Sequence, residues 1–203
     1  MVPEKPGGTL SSRSHILAAV RKNRPPEIMR PDERPLSSPS GDLATSFEAL
    51  ARNNSSEILH AGPTEIESLL EERFGSGQRT ASAISESRFG NLKIGPETAP
   101  HSLNPLDVFV CRGTFGVAEN GAIWLAESEI VVRAAPFLAE HLVVLLDKTE
   151  LVADMHDAYR RLRIDEEPFG LFCTGPSKTA DIEQSLVVGA HGPRRHTIVL
   201  VSN

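Results

Sequence analysis

Gly175-Pro176-Ser177-Lys178-Thr179-Ala180-Asp181-Ile182-Glu183, followed by His191-Gly192-Pro193-Arg194-Arg195, sets hydroxyls, an amine, carboxylates, an imidazole and guanidinium groups close together in the chain. Gly175 and Pro176 can turn the backbone sharply after the apolar run Phe169 to Cys173, and Ser177 or Thr179 can then cap a helix. The free amides of a first helical turn, with the positive end of the helix dipole behind them, favour a carboxylate or a phosphate, and Lys178 adds a mobile charge. The segment therefore supplies six candidate ligand-binding residues: Gly175, Pro176, Ser177, Lys178, Thr179 and Asp181. Arg194 joins them, and His191 becomes a candidate catalytic residue, if the chain folds back over the same pocket; a purely loop-stabilising role fits His191 equally. Asp181 and Glu183 in a first turn would also stabilise the helix with no ligand present, and they oppose an anion. The Gly-x-x-x-x-Gly-Lys-Ser/Thr spacing is absent, so a nucleoside triphosphate is not indicated.

A second constellation lies upstream, in Val117-Ala118-Glu119-Asn120-Gly121-Ala122-Ile123-Trp124. Asn-Gly between apolar runs is a strong hairpin signal. Glu119, at the end of a strand just before that turn, reads either as decoration of the turn or as a catalytic base, nucleophile or hydrogen-bond acceptor, with Asn120 and Gly121 beside it as candidate ligand-binding residues. Trp124 reads as core. His141 reads as a hydrogen-bonded histidine at the boundary of a buried strand, and His156 as a flank residue. No short ligand spacing supports a metal site, a set made of Glu119, Asp181, His191 and His196 included.

These side chains need a scaffold. Ser11 to Asn23 reads as a short helix with Ile16, Leu17 and Val20 on one face, and the stretch from Arg24 to Gly41, with Pro25, Pro26, Pro31, Pro35 and Pro39, reads as an extended arm. Residues 1–41 are accordingly expected to form a helix and arm that dock on another copy or on their own core, and residues 42–203 an α/β domain. Within the domain, helices are expected over Leu43 to Arg52, Pro63 to Phe74, Thr149 to Arg163 and Asp181 to Ala190. Strands are expected at Glu57 to His60, Thr80 to Ile84, Asp107 to Cys111, Gly116 to Glu119, Ala122 to Ala126, Glu140 to Leu146, around Phe169, and at Thr197 to Val201. This order predicts an open, partly parallel α/β sheet flanked by helices, with a hairpin-rich middle.

Bulk properties exclude several classes. The chain has 203 residues and a formal net charge of −6, with no run of Lys or Arg to follow a nucleic acid backbone. The start lacks an apolar signal core, and runs such as Leu142 to Leu146 are too short to span a bilayer, so a soluble, cytoplasmic protein is expected. Two cysteines, Cys111 and Cys173, cannot supply the four thiolates of an iron–sulfur cluster, so no cluster is expected on this chain. Each sits in an apolar stretch and reads as a small buried side chain.

Taken as a set, Val-Ala-Glu119-Asn-Gly, Arg133 with the Pro136 to Leu146 stretch, Gly175-Pro-Ser-Lys-Thr-Ala-Asp-Ile-Glu183 and His191-Gly-Pro-Arg resemble the LUD domain as found in lactate utilization protein C, over roughly residues 42 to 203. The resemblance implies a fold like the NagB/RpiA/CoA-transferase group and a part in oxidising L-lactate to pyruvate alongside separate iron–sulfur partner proteins. It leaves the cofactor unknown and implies a small carboxylate or organic cofactor between the Glu119 turn and the Gly175 loop. The sequence departs from the family pattern in two places. Asn120 replaces Thr in Ala-Glu-Thr-Gly, with no Asp four or five residues upstream, and Lys178 replaces Arg, exchanging a bidentate fork for a point charge. Glu119-Asn-Gly also resembles the motif in which family I CoA-transferases carry their nucleophilic glutamate. An acyl or CoA transferase and a non-catalytic regulatory subunit therefore stand as alternatives.

Overall fold

The longest apolar runs of the chain lie side by side. The computed structural model describes residues 11–26, 28–29, 41–75, 79–163, 165–167, 169–182 and 185–202, without the side chains of 180–182 and 185–186. In chain order its elements are α1 (Ser12–Lys22), α2 (Leu43–Asn53), β1 (Glu57–Ala61), α3 (Ile66–Phe74), β2 (Thr80–Ser82), β3 (Leu106–Gly113), β4 (Phe115–Val117) and β5 (Ala122–Ala126). There follow α4 (Glu127–Ile130), α5 (Ala135–Leu138), β6 (Ala139–Asp147), β7 (Leu151–Val152), α6 (Met155–Arg161), β8 (Gly170–Cys173), β9 (Lys178–Ile182), β10 (Ser185–Val188) and β11 (Arg195–Val201). Contacts divide the chain into two units, residues 1–36 and 37–203. In the first, α1 is capped by Ser11, whose Oγ accepts the Ser14 amide, and ends at Asn23, as its sequence requires.

In the second unit a five-stranded sheet runs in the order β1-β11-β6-β3-β2, and every pairing is parallel. Its central strands are continuous apolar runs because both faces are covered. On one face α3 sets Leu70 and Phe74 against Val108, Val110, Val143, Leu145 and Val199. On the other, Phe47 and Ala51 of α2 share a core with Phe109, Cys111, Leu142, Val144, Leu146, Ile198 and Leu200. Ile123 and Leu125 enter that same core from a second, four-stranded sheet ordered β7-β4-β5-β8. Ala158 of α6 closes the outer side of this second sheet over Phe115, Val117, Ala122 and Val152, with Trp124 and Phe172 packed beside them. The fold is thus a mixed α/β architecture with a parallel central sheet between helices, as the alternation of elements predicts.

Two expected helices are not present in the form the sequence suggested. Asp181 to Ala190 is not a helix: β9 and β10 pair antiparallel, Val187 with Thr179 and Val188 with Lys178. The β-branched residues Thr179, Ile182, Val187 and Val188 favour an extended pair, and Gly189, at φ +77°, turns the chain out of it. Ser177 and Thr179 therefore cap nothing, and Glu183 lies outside the described residues. The Thr149 to Arg163 helix is half its expected length. Leu151 and Val152 instead form an edge strand beside Gly116 and Val117, and the cap is Asp154, whose Oδ1 accepts the Asp157 amide at 2.9 Å. Tyr159 on α6 is 62% exposed.

The Asn120-Gly121 hairpin between β4 and β5 is present, and its geometry ties the two halves of the domain. Asn120 Oδ1 accepts the Ala122 amide at 2.9 Å, and Gly121 adopts φ +68°. The turn is pressed against α2: a methyl group on Gly121 would stand 2.6 Å from the Ala51 backbone nitrogen. Gly121→Ala therefore combines left-handed strain with a clash against helical backbone. We expect it to lower the unfolding free energy by about 2 kcal/mol, read as a drop in the urea midpoint at unchanged slope; a midpoint within error of the native chain would show that the turn does not bear on α2.

Candidate functional site

The C-terminal end of α2 is the point on which the candidate residues converge. Asn54 caps that helix, and Ser55 turns the chain away at φ +71°. Asn54 Nδ2 donates to the Asn120 carbonyl at 2.7 Å, which fixes the upstream turn. The Asn54 carbonyl accepts from Lys178 Nζ at 2.8 Å, and Gly175, at φ +83°, lies so close to the same oxygen that no side chain fits there. One residue thus joins the Asn120-Gly121 turn to the Gly175 to Lys178 loop. The helix end at this place is a carboxyl end, whose carbonyls attract a cation. The anion-binding amino end expected after Gly175 is absent, because the chain continues into β9.

The candidate residues are gathered by a second pairing. The Ser177 amide donates to the Pro193 carbonyl at 2.9 Å, and the Gly189 amide donates to the Ser177 carbonyl at 2.9 Å. Gly192 packs on the Ser177 side chain, and the stem of Arg194 lies directly over Gly189. The Arg194 amide donates to the Glu140 carbonyl at 2.8 Å, which anchors the loop to the start of β6. Residues 175–178 and 189–194 are therefore neighbours, as their grouping in the sequence suggests. Around them lie three abutting hollows of about 270, 280 and 540 Å³. Pro176 and Lys178 are shared by the first two, Arg194 by the first and third, and His191 with Gly192 by the second and third. Together they form one groove over the amino ends of β1, β11, β6 and β3.

Among the residues singled out from sequence, Gly175, Pro176, Ser177, Lys178, His191 and Arg194 line this groove. Thr179 lies on β9 outside the lining, and the side chain of Asp181 lies outside what the structure describes. Glu119 is not brought to the groove: its Oε2 accepts the Met155 amide at 2.9 Å, so the carboxylate sits at the start of α6. Asn120 and Gly121 serve the turn and its contact with α2. Arg133 is held by Glu127, Nε to Oε1 at 2.6 Å. His156 is exposed.

Two buried histidines face the groove. His141 Nε2 lies 2.8 Å from Thr197 Oγ1, which donates at 3.0 Å to Glu57 Oε2, and Glu57 Oε1 accepts from Arg73 at 2.6 Å. Phe74 meets the His141 ring edge-on at 5.1 Å. His196 Nδ1 lies 2.8 Å from Ser56 Oγ, and its Nε2 lies 3.7 Å from Cys173 Sγ. Burial, then the Arg195 charge, lowers His141 to about 4; burial, then His141, lowers His196 to about 3. Burial pushes the Cys173 thiol up to about 11, so His196 and Cys173 face each other as neutral groups rather than as imidazolium and thiolate. Cys111 is buried in the sheet core, and its thiol is also raised by desolvation. Among the described residues no three His, Cys, Asp or Glu side chains converge as a metal cage, and no helix is long and apolar enough to cross a membrane.

Sequence reasoning missed Asn54, Ser56, Glu57 and Thr197. Asn54 carried a signal, since Asn at the end of an amphipathic run is a common helix stop. Ser56, Glu57 and Thr197 carried none, because polar residues entering a strand look alike whether or not they bond across the sheet.

Comparison with known proteins matches residues 48–201 to the LUD domain. Lactate utilization protein C of Bacillus pumilus is 34% identical over 144 residues, covering 68% of this chain and 55% of the relative. The protein of the same name from Anoxybacillus flavithermus is 36% identical over 88 residues, covering 43% of this chain and 40% of the relative. The chain thus spans about half the length of the curated relatives it matches. The crystal structure of a DUF162 family protein from Deinococcus radiodurans superposes with a TM-score of 0.59 at 16% identity, over 82% of this chain and 99% of that one, and shares the fold.

The two histidines make a pH prediction. Both are neutral when folded and titrate near the ordinary 6.5 when unfolded, so between pH 6.5 and 4 the unfolded chain binds protons that the folded chain refuses. Their contribution is intact above pH 6.5 and is lost as pH falls, by on the order of 3 kcal/mol for each at pH 4. Denaturant titrations at pH 7, 6 and 5 should show stability falling, with a shallower slope in His196→Gln; constant stability over that range would contradict the burial of neutral imidazoles.

Proposed function

Because this chain belongs to the LUD domain family, we propose that it serves as a cytoplasmic subunit of a lactate utilization system, binding a small carboxylate in the groove around residues 175–178 and 189–194. The observation that carries the reading is the cation excess in the hollow beside His141. Lys178, Arg194 and Arg195 line it with Glu57, whose carboxylate is already engaged by Arg73, while Asp107 and Glu140 line the adjoining hollow. A carboxylate entering between these groups gains charge-assisted hydrogen bonds, and the fixed loop pairing holds the donors in place beforehand. The names of the curated relatives give lactate as the acid to test first.

Converting L-lactate to pyruvate releases two electrons and two protons. In this reading the two electrons pass to separate iron–sulfur proteins, the groove holds the acid, and the two protons, one from the hydroxyl and one from the carbon bearing it, leave to water, one of them by way of His191 at the exposed rim. The transferase alternative has less support, because the Glu119 carboxylate is occupied at the start of α6 and does not line the groove. Calorimetric titration of the purified chain with L-lactate tests the binding. The Lys178→Ala/Arg194→Ala double variant should bind about tenfold more weakly, as expected for losing charge-assisted contacts at a partly exposed site. Equal affinity of the variant, or no binding by the native chain, would remove the reading.

A further inference from the structure

The chain of bonds from His141 to Arg73 fixes more than the position of the ring. Thr197 has one hydroxyl proton, which it donates to Glu57 Oε2, and Glu57, paired with Arg73 as a carboxylate, can only accept. The Thr197 oxygen can therefore receive a bond only from a protonated Nε2 of His141, 2.8 Å away. That assigns the tautomer: Nε2 carries the hydrogen and Nδ1 carries the lone pair. Burial and the Arg195 charge keep the ring neutral at physiological pH, so the lone pair persists. His141 lines the same hollow as Lys178, Arg194 and Arg195, and no described residue bonds its Nδ1. His196, the other imidazole there, has both nitrogens occupied by Ser56 and Cys173.

We infer that His141 Nδ1 is the hydrogen-bond acceptor for the hydroxyl of a 2-hydroxy acid whose carboxylate is held by the groove's cations, with Thr197 and Glu57 as positioning residues. This rests on the carboxylate-binding reading and adds to it the group that distinguishes a hydroxy acid from a plain one. A site that pairs a ligand hydroxyl rejects the analogue lacking it, because the acceptor is then left without a partner. Thr197 sits fully buried between β1 and β6 and touches no ligand, so its effect must pass through the imidazole.

The test compares L-lactate with propionate, which has the carboxylate and lacks the hydroxyl, on the full chain by calorimetry. Lactate should bind at least about tenfold more tightly than propionate in the native chain. The preference should vanish in His141→Leu and in the near-isosteric Thr197→Val, and return in Thr197→Ser, which restores the hydroxyl. Nitrogen NMR of the native chain should show the Nε2-protonated tautomer, with lactate moving the Nδ1 resonance and propionate leaving it in place. Equal binding of both acids, weakened alike by Arg194→Ala, would overturn the role of His141 while the carboxylate reading stands. Binding of neither acid would overturn both.

Discussion

The groove exists because one helix ends where two other segments need a partner. The last turn of α2 offers a side-chain amide and a carbonyl at Asn54, and these receive the Asn120 turn on one side and Lys178 on the other. Helix carboxyl ends leave such groups unpaired, and a lysine amine supplies both a donor and a charge of the right sign. Gly121 and Gly175 have no side chains where they approach this end, so the backbone itself comes into contact with it. The second sheet and the loop before β9 are thereby fixed to the same point of the parallel sheet.

From that point the electrostatics of the groove follow. Lys178 is drawn toward the helix end, Arg194 is laid over Gly189, and Arg195 reaches toward Glu140 at 4.0 Å without closing on it. The imidazoles beside them stay neutral because the sheet buries them, so they contribute lone pairs and dipoles rather than further charge. A groove of this kind sets exposed cations beside buried neutral hydrogen-bonding groups.

Much of this was legible in the chain. The central strands announce themselves as uninterrupted Val, Leu and Ile runs, the Asn120-Gly121 turn is a strong local signal, and the nearness of the Gly175 and His191 segments is one of the two arrangements their spacing allows. The helix expected after Gly175 was not legible as a strand pair, because Ser177, Thr179 and Asp181 satisfy the rules for a helix start while Thr179, Ile182, Val187 and Val188 equally satisfy those for strands. Only the partner across the hairpin decides between them. The two readings of Glu119 stay open in the sequence for a related reason. A carboxylate before a turn serves as an acceptor for whichever amide lies nearest, and here that amide belongs to Met155, brought there by the short edge strand at Leu151 and Val152. The relay through Thr197 joins residues 140 positions apart, beyond any local pattern.

The strand order carries a consequence for how the molecule is made. β1 pairs with β11, and β11 in turn pairs with β6, so an interior strand of the sheet is synthesised after its neighbours on both sides. Until residues 195–201 leave the ribosome, β1 has nothing to pair with and the apolar flank of β6 stays open. The growing chain must therefore carry an unfinished sheet from the synthesis of β1 until that of β11, a long-range topology that slows folding and gives chaperones a surface to shield.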